Sequence, residues 1–252
     1  MSVRILTGDC RDVLRELEPF DCIVTDPPYG ETSFRWDQRV PGWPALVRPL
    51  LKPTGSMWVF GSLRFFMETA VEFLETGWRL SQDIIWEKQN GSGFAADRFR
   101  RVHEQGALFY RDDAPWSGVY KLPQVTHDAK ARKVRQQVGR TPHTGTIGPN
   151  VYESEAGGPR LMRSVMYVRN GHRQGTGHGT PKPEELLEPL LRYACPPGGR
   201  VLDPFAGSGS TGLVASRLGL DCTLIEADPA TAEAAAARLA RDGGMFANLA
   251  AE

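Results

Sequence analysis

RVLDPFAGSGSTG (200–212) decides the fold. An apolar segment, a carboxylate and a run of small residues make a buried parallel strand that turns tightly into a helix. Gly207, Gly209 and Gly212 fall at GxGxxG spacing. There a missing Cβ lets the backbone approach a ligand, and the free N–H groups of the new helix favour a carboxylate or phosphate. By itself this pattern is weak, since a purely structural turn followed by a capping acid reads the same way. Its surroundings say more. Glu226 closes the next strand, CTLIE (222–226), where a carboxylate can accept from both hydroxyls of a ribose. Asp203 at the loop would repel a pyrophosphate and attract an ammonium or sulfonium group. A ligand with an adenosine half and an amino-acid half suits both ends, which points to S-adenosylmethionine rather than to a nicotinamide dinucleotide.

Outward from this stretch, strand and helix alternate. A helix begins near Pro183 (EELLEPLLRYA), and an Ala-rich helix covers 230–241. Toward the amino terminus the pattern predicts strands at VRILTG (3–8), FDCIVTD (20–26), SMWVFG (56–61), LSQDIIWEK (80–88) and GALFYR (106–111). Helical turns are expected at DVLREL (12–17), over ALVRPLL (45–51) and near 63–76, with a Lys-Pro-Thr-Gly turn at 52–55. Such spacing implies an α/β fold with a mostly parallel sheet covered on both faces. The period fails over 112–180, which holds a basic helical piece near 128–138, a Gly, Thr, Pro and His run, and one short strand at SVMYVR (164–169). This reads as an inserted, surface-mounted subdomain. The expected organisation is therefore 1–111, an insert at 112–178, and 179–252.

Composition narrows the class. Across 252 residues the apolar fraction is 40% and the charged fraction 24%, which excludes wholesale disorder and fibrous architecture. No apolar run reaches the roughly 18 residues of a membrane span, and Arg4 and Asp9 interrupt the first segment, so neither a membrane span nor a signal peptide is expected. Cys10, Cys22, Cys195 and Cys222 show no CxxC spacing and read as reduced core thiols of a cytoplasmic protein, not as a metal site. The formal net charge of +0 conceals a gradient: ten basic residues stand against three acidic ones from Lys121 to Arg173, and six acidic against two basic from Asp221 to Glu252. A polyanion would meet the local field of the middle segment.

Asp26-Pro27-Pro28-Tyr29 follows the strand 20–26, at the carboxyl end where parallel sheets place their chemistry. The prolines fix the backbone and leave the Pro27 carbonyl as an acceptor, Asp26 supplies a second, and Tyr29 offers a flat face. An exocyclic amine of a nucleobase needs that set, because its lone pair is delocalised into the ring. Two acceptors on its N–H groups favour pyramidalisation and free the pair for attack on a methyl sulfonium. The competing reading is a strand stopped by a rigid turn.

With VTDPPYG (24–30), GTPKP (179–183), LDPFAGSGST (202–211) and LIEADP (224–229) in view, the chain resembles the amino-group DNA methyltransferases, which use S-adenosylmethionine to methylate adenine N6 or cytosine N4. The order, with the amine-binding tetrapeptide before the cofactor loop and the basic segment between, resembles the permuted beta class. The resemblance implies a Rossmann-like methyltransferase fold with an inserted target-recognition subdomain. Asp26, Pro27 and Tyr29 look like the residues that hold and stack a flipped base, with Pro28 shaping the turn. Asp203, Phe205, Gly207, Ser208, Gly209 and Ser210 resemble the cofactor loop, Glu226 the ribose ligand, and Asp9 the acceptor for the adenine amino group. Thr180 and Lys182 lie in a segment similar to the family's HPTQKP stretch, with Pro181 where the family has Gln. The segment THDAKARKVRQQVGR (126–140) resembles the recognition insert by position and charge, offering Lys130, Arg132, Lys133 and Arg135 to DNA. His103, placed just before a strand, is a further candidate for the base pocket.

The implied partner is double-stranded DNA, with a homodimer supplying a second half-site and no metal or membrane. The Asp of DPPY leans to adenine N6, and cytosine N4 is the alternative. A nicotinamide oxidoreductase would leave DPPY without a purpose, and a non-catalytic nucleic-acid module would leave Asp26, Pro27 and Tyr29 without one.

Overall fold

The computed structural model describes residues 2–92, 96–135, 151–169 and 181–242. In chain order the strands are β1 (Val3–Thr7), β2 (Phe20–Thr25), β3 (Leu51–Gly61), β4 (Trp78–Ser92), β5 (Arg101–Arg111), β6 (Val125–Thr126), β7 (Arg132–Arg135), β8 (Val151–Ser154), β9 (Arg160–Leu161), β10 (Val165–Tyr167), β11 (Arg200–Asp203) and β12 (Asp221–Glu226). The helices are α1 (Cys10–Val13), α2 (Trp43–Val47), α3 (Leu63–Glu75), α4 (Glu184–Ala194), α5 (Ser210–Arg217) and α6 (Pro229–Asp242). Eight strands form one sheet in the order β1-β12-β11-β2-β3-β5-β4-β10. It is mostly parallel, as expected, with β5 running antiparallel to both β3 and β4.

Alternation along the strands builds two cores. Cys22, Val24, Trp58 and Phe60 meet Leu186, Leu187 and Leu191 of α4, Leu213 of α5 and Leu239 of α6. Ile23, Met57 and Val59 meet Leu14, Val47 of α2, and Phe65 and Phe73 of α3. Each large apolar side chain buried this way contributes roughly 1.5–3 kcal/mol. A central strand therefore cannot slip by one residue without emptying both faces at once.

β2 and β11 lie side by side and parallel, Val201 opposite Cys22 and Leu202 opposite Ile23. From that pair the sheet grows outward in two directions, β2 to β3 and β11 to β12. Such a switch point opens a crevice at the carboxyl ends of the strands. DPPY and the Gly-rich loop leave the sheet at this point.

Several local expectations are corrected. α2 spans Trp43–Val47 rather than 45–51, because Pro44 suits a first turn whereas Pro49 cannot continue one. Lys52–Gly55 make no separate turn. They bulge within β3, where the register jumps from Phe20 opposite Leu51 to Cys22 opposite Ser56. β5 starts at Arg101, so His103 lies inside a strand and opposite Glu87. The segment 164–169 does not belong to a surface subdomain: β10 pairs with β4 at the edge of the main sheet, and Trp86 Nε1 donates to the Val168 carbonyl at 2.8 Å. The backbone of β4 needs a partner on that edge, and an apolar VMY segment supplies it.

A second compact unit comprises Pro123–Arg163. It holds two antiparallel ribbons, β6 with β9 and β7 with β8. The helix expected over 128–138 is absent from its described part, since Arg132–Arg135 are extended. Opposite charges pair across the ribbon, Lys133 with Glu153 at 3.0 Å, and the Ala129 carbonyl accepts from Gly157 N–H at 2.8 Å. Residues 136–140 of that expectation lie outside the described residues. All four cysteines are buried and without a disulfide. Among the described residues no helix is long and apolar enough to cross a membrane, and no three His, Cys, Asp or Glu side chains group as metal ligands.

Candidate active site

The carboxyl ends of β11 and β2 bring Asp203 and Asp26 onto one cavity of about 60 Å3, also lined by Phe60, Pro181, Lys182, Phe205 and Ser210. On the β11 side Asp203 is 3% exposed. It accepts from the Thr211 hydroxyl at 2.7 Å and from the Phe205 amide at 3.1 Å, tying the start of α5 to the strand it leaves. Burial pushes its carboxyl up to about 6, against the opposing pull of Thr211, the Phe205 amide and Thr25. A cation placed beside it would relieve that strain.

Gly209 caps α5 with φ +76°, and a Cβ on Gly212 would come within 2.7 Å of Leu224, so both positions require glycine. At Gly207 a Cβ would meet nothing within 4 Å, so the loop presents open backbone to the mouth of the crevice. Glu226 accepts from Gly207 N–H at 2.9 Å and Asp228 N–H at 3.0 Å, which fixes its carboxylate at the end of β12. Ser208 and Ser210 are held from α6, because the Arg238 guanidinium reaches the Ser208 carbonyl at 3.1 Å and Ser210 Oγ at 3.0 Å. Phe205 packs edge-on against Trp43 at 5.5 Å. Asp9 sits after β1, where Gly8 N–H donates to the Glu226 carbonyl at 2.9 Å. Its carboxylate caps α1 and grips Arg11 at 2.6 Å, and that hydrogen bond lowers its pKa. Thr180 lies outside the described residues.

On the β2 side the arrangement is ionic. Tyr29 Oη donates to Asp26 Oδ1 at 2.5 Å, so its hydroxyl holds the carboxylate in addition to the flat face read from sequence. The Lys182 ammonium bonds Asp26 Oδ2 and lies 3.2 Å from Glu104 Oε2. Lys88 pairs with the other oxygen of Glu104. Rings enclose Lys182, with Phe60 at 5.1 Å, Trp86 at 5.9 Å and Tyr29 at 6.0 Å. Burial would lower the Lys182 pKa, but Asp26 and Glu104 raise it above the ordinary lysine value. Burial likewise raises Glu104, and the two lysines overcome it and hold the carboxyl below its usual range. Pro27 is buried and Pro28 half-buried. The following loop is anchored by Asp37, which accepts the N–H groups of Gly30 at 2.8 Å, Glu31 at 2.9 Å and Thr32 at 2.7 Å.

Glu104, Lys88, Arg238 and Asp37 escaped the sequence reading. Glu104 alone had a local signal, as the neighbour of His103. His103 itself lines a separate cavity of about 190 Å3 with Glu31, Ser62, Arg101 and Glu104, without reaching Asp26. In the second unit Lys130, Arg132 and Lys133 are exposed, and Arg135 lies on β7.

The set fits S-adenosylmethionine by its carboxylate acceptors. Glu226 would take the ribose diol, Asp203 the amino-acid end, and Asp9 the adenine amine if it shared Arg11. Residues 20–237 match the family described as DNA methylase, N6_N4_Mtase. The type II methyltransferase M2.DpnII of Streptococcus pneumoniae is 29% identical over 177 residues, covering 70% of this chain and 57% of that protein. The chain therefore matches little more than half the length of that relative. The M1.HpyAVI-SAM complex is similar at 24% identity with a TM-score of 0.64, over 94% of this chain and 100% of that one. The cytosine-N4-specific PvuII DNA methyltransferase is similar at 17% identity with a TM-score of 0.63, over 94% of this chain and 86% of that one.

Proposed function

The chain belongs to this DNA methylase family, and from that premise we propose that it transfers a methyl group from S-adenosylmethionine to the exocyclic amine of a base flipped out of duplex DNA, the base being adenine and the position N6. The observation that carries the reading is the meeting of Asp26 and Asp203 on one cavity from adjacent parallel strands. When bound, S-adenosylmethionine supplies a methyl group on a positively charged sulfur.

The residues of this chain do the rest. Asp203 and Glu226 would fix the two ends of the cofactor. Asp26 and the Pro27 carbonyl would accept the two N–H groups of the target amine and draw its lone pair out of the ring. Tyr29 would stack on the base, and the target must leave the duplex because its amine cannot reach the cofactor inside the stack. As positive charge develops on the amine nitrogen, the Asp26 carboxylate faces it and can receive the proton the nitrogen sheds. Adenine is favoured by the Asp that opens DPPY, where the cytosine enzymes more often resemble SPPY.

Lys130, Arg132, Lys133 and Arg135 would contact the DNA backbone or groove, while His103, on a separate cavity, is given no part in holding the base. A homodimer would supply the second half-site. The test is transfer of a labelled methyl from S-adenosylmethionine to duplex DNA, with RNA as the comparison. Label in DNA alone supports the reading, and label in RNA alone or in neither overturns it.

A further inference from the structure

Both oxygens of Asp26 are engaged. Tyr29 Oη occupies Oδ1 at 2.5 Å and the Lys182 ammonium occupies Oδ2. Yet the proposed reaction needs this carboxylate to accept from a target amine and to face the positive charge that develops there. An ammonium bonded to it would oppose both, since like charges a few ångströms apart in a buried site repel strongly. Lys182 must therefore have another seat. Its side chain is 9% exposed, so it cannot simply move into water, and a buried lysine without a counter-ion would cost several kcal/mol.

The only acidic group other than Asp26 that an ion pair links to Lys182 among the described residues is Glu104. Its Oε2 is buried, stands 3.2 Å from Nζ and makes no hydrogen bond of good geometry. Its Oε1 is already anchored by Lys88. Glu104 is thus held in place from β4 with its second oxygen already beside Lys182. Its position comes from the sheet: β5 lies between β3 and β4, and Glu104 stands opposite Trp86 of β4, whose ring also covers Lys182.

We propose that Glu104 is a positioning residue: its Oε2 takes over the Lys182 ammonium when the target amine claims Asp26, so that the lysine keeps a counter-ion while the carboxylate is released. This rests on the methyl-transfer reading above. Glu104 touches no substrate and acts through Lys182. Among the described residues the groups that face Lys182 are Asp26 with Tyr29 after β2, Glu104 on β5 with Lys88 behind it on β4, and the rings of Phe60 and Trp86.

Two measurements test it. The first needs neither cofactor nor DNA. In protein carrying 13C at lysine Cε, the Lys182 signal is assigned by its loss in Lys182→Met and followed from about pH 8 to 11. In the native chain it is expected to stay protonated past the ordinary lysine value near 10.4. Glu104→Gln should lower the midpoint by a unit or more, and Lys88→Met, which removes a competing cation, should raise it. These opposite signs keep the test decisive even if one variant fails to fold. Unchanged midpoints overturn the proposal.

The second is single-turnover methyl transfer in a double-variant cycle. Glu104→Gln should slow transfer by about 10–100-fold in the native background and by less than about twofold in Lys182→Met, while Glu104→Asp keeps most of the rate. Equal losses in both backgrounds overturn the link to Lys182. Absence of transfer by the native chain together with the expected titration would defeat the methyl-transfer reading and leave the Glu104–Lys182 pairing intact.

Discussion

The two halves of the site are built from the same part, a carboxylate at the end of a buried parallel strand, and are stabilised in opposite ways. After β11, Asp203 is held by a hydroxyl and an amide of its own loop, Glu226 by two amides, and the serines by Arg238. After β2, Asp26 is held by Tyr29 and by a lysine from the segment preceding α4. In the first half both carboxylates are fixed by neutral donors. The second is fixed by an ion pair that, in the proposed reaction, a substrate amine would displace. A cofactor half made rigid and an amine half made exchangeable suit a reaction in which one ligand is positioned and the other must be pulled out of a stack.

The sharpest way to break this comparison is Asp26→Ala. Methyl transfer should fall by about 100-fold or more while S-adenosylmethionine affinity by calorimetry stays within about twofold, since the proposed role of Asp26 lies in the amine half alone. Parallel losses would mean that the halves are not separate. Glu226→Ala should do the reverse, weakening cofactor binding by roughly 10–100-fold, the worth of hydrogen bonds to a charged group.

A somewhat smaller effect comes from pH. Asp203 is raised to about 6, above its unfolded value, so its contribution to stability is complete below the unfolded pKa and is lost as pH rises through about 6. A cation that needs the ionised form should therefore bind about tenfold more weakly at pH 5 than at pH 7, and Asp203→Asn should flatten both dependences. Calorimetry and denaturant melts across that range read the two effects. The smallest effect on the site itself is expected from neutralising Lys130, Arg132 and Lys133 together. Cofactor binding should not change, and the slope of log K for DNA against log salt should fall by about one unit for each phosphate left without its cation. An unchanged slope would place the DNA surface elsewhere.

These differences also explain what the sequence could show. DPPY and DPFAGSGST are legible because each packs its chemistry into a few adjacent residues at a strand end, where local rules on prolines and glycines apply. Glu104 is not legible, since RRVHEQGALF reads as polar residues entering a strand, and only the placement of β5 between β3 and β4 carries it to Lys182. The same holds for β10, whose partner β4 lies far upstream, and for Arg132–Arg135. Their charges suggest a helix until the facing strand Val151–Ser154 is known. Pairing between distant segments is decided by backbone hydrogen bonds that no local pattern encodes.

In the proposed reaction Asp26 presents an exocyclic amine, that of adenine, to the methyl group. This is tested most directly by incubating the native chain with S-adenosylmethionine and duplex DNA of mixed sequence, digesting to nucleosides and separating the products by mass. The expected product is N6-methyladenine, absent from the Asp26→Ala reaction. N4-methylcytosine would overturn the choice of base. 5-methylcytosine would contradict the mechanism itself, because carbon methylation needs a covalent nucleophile that the Asp26–Tyr29 site does not provide.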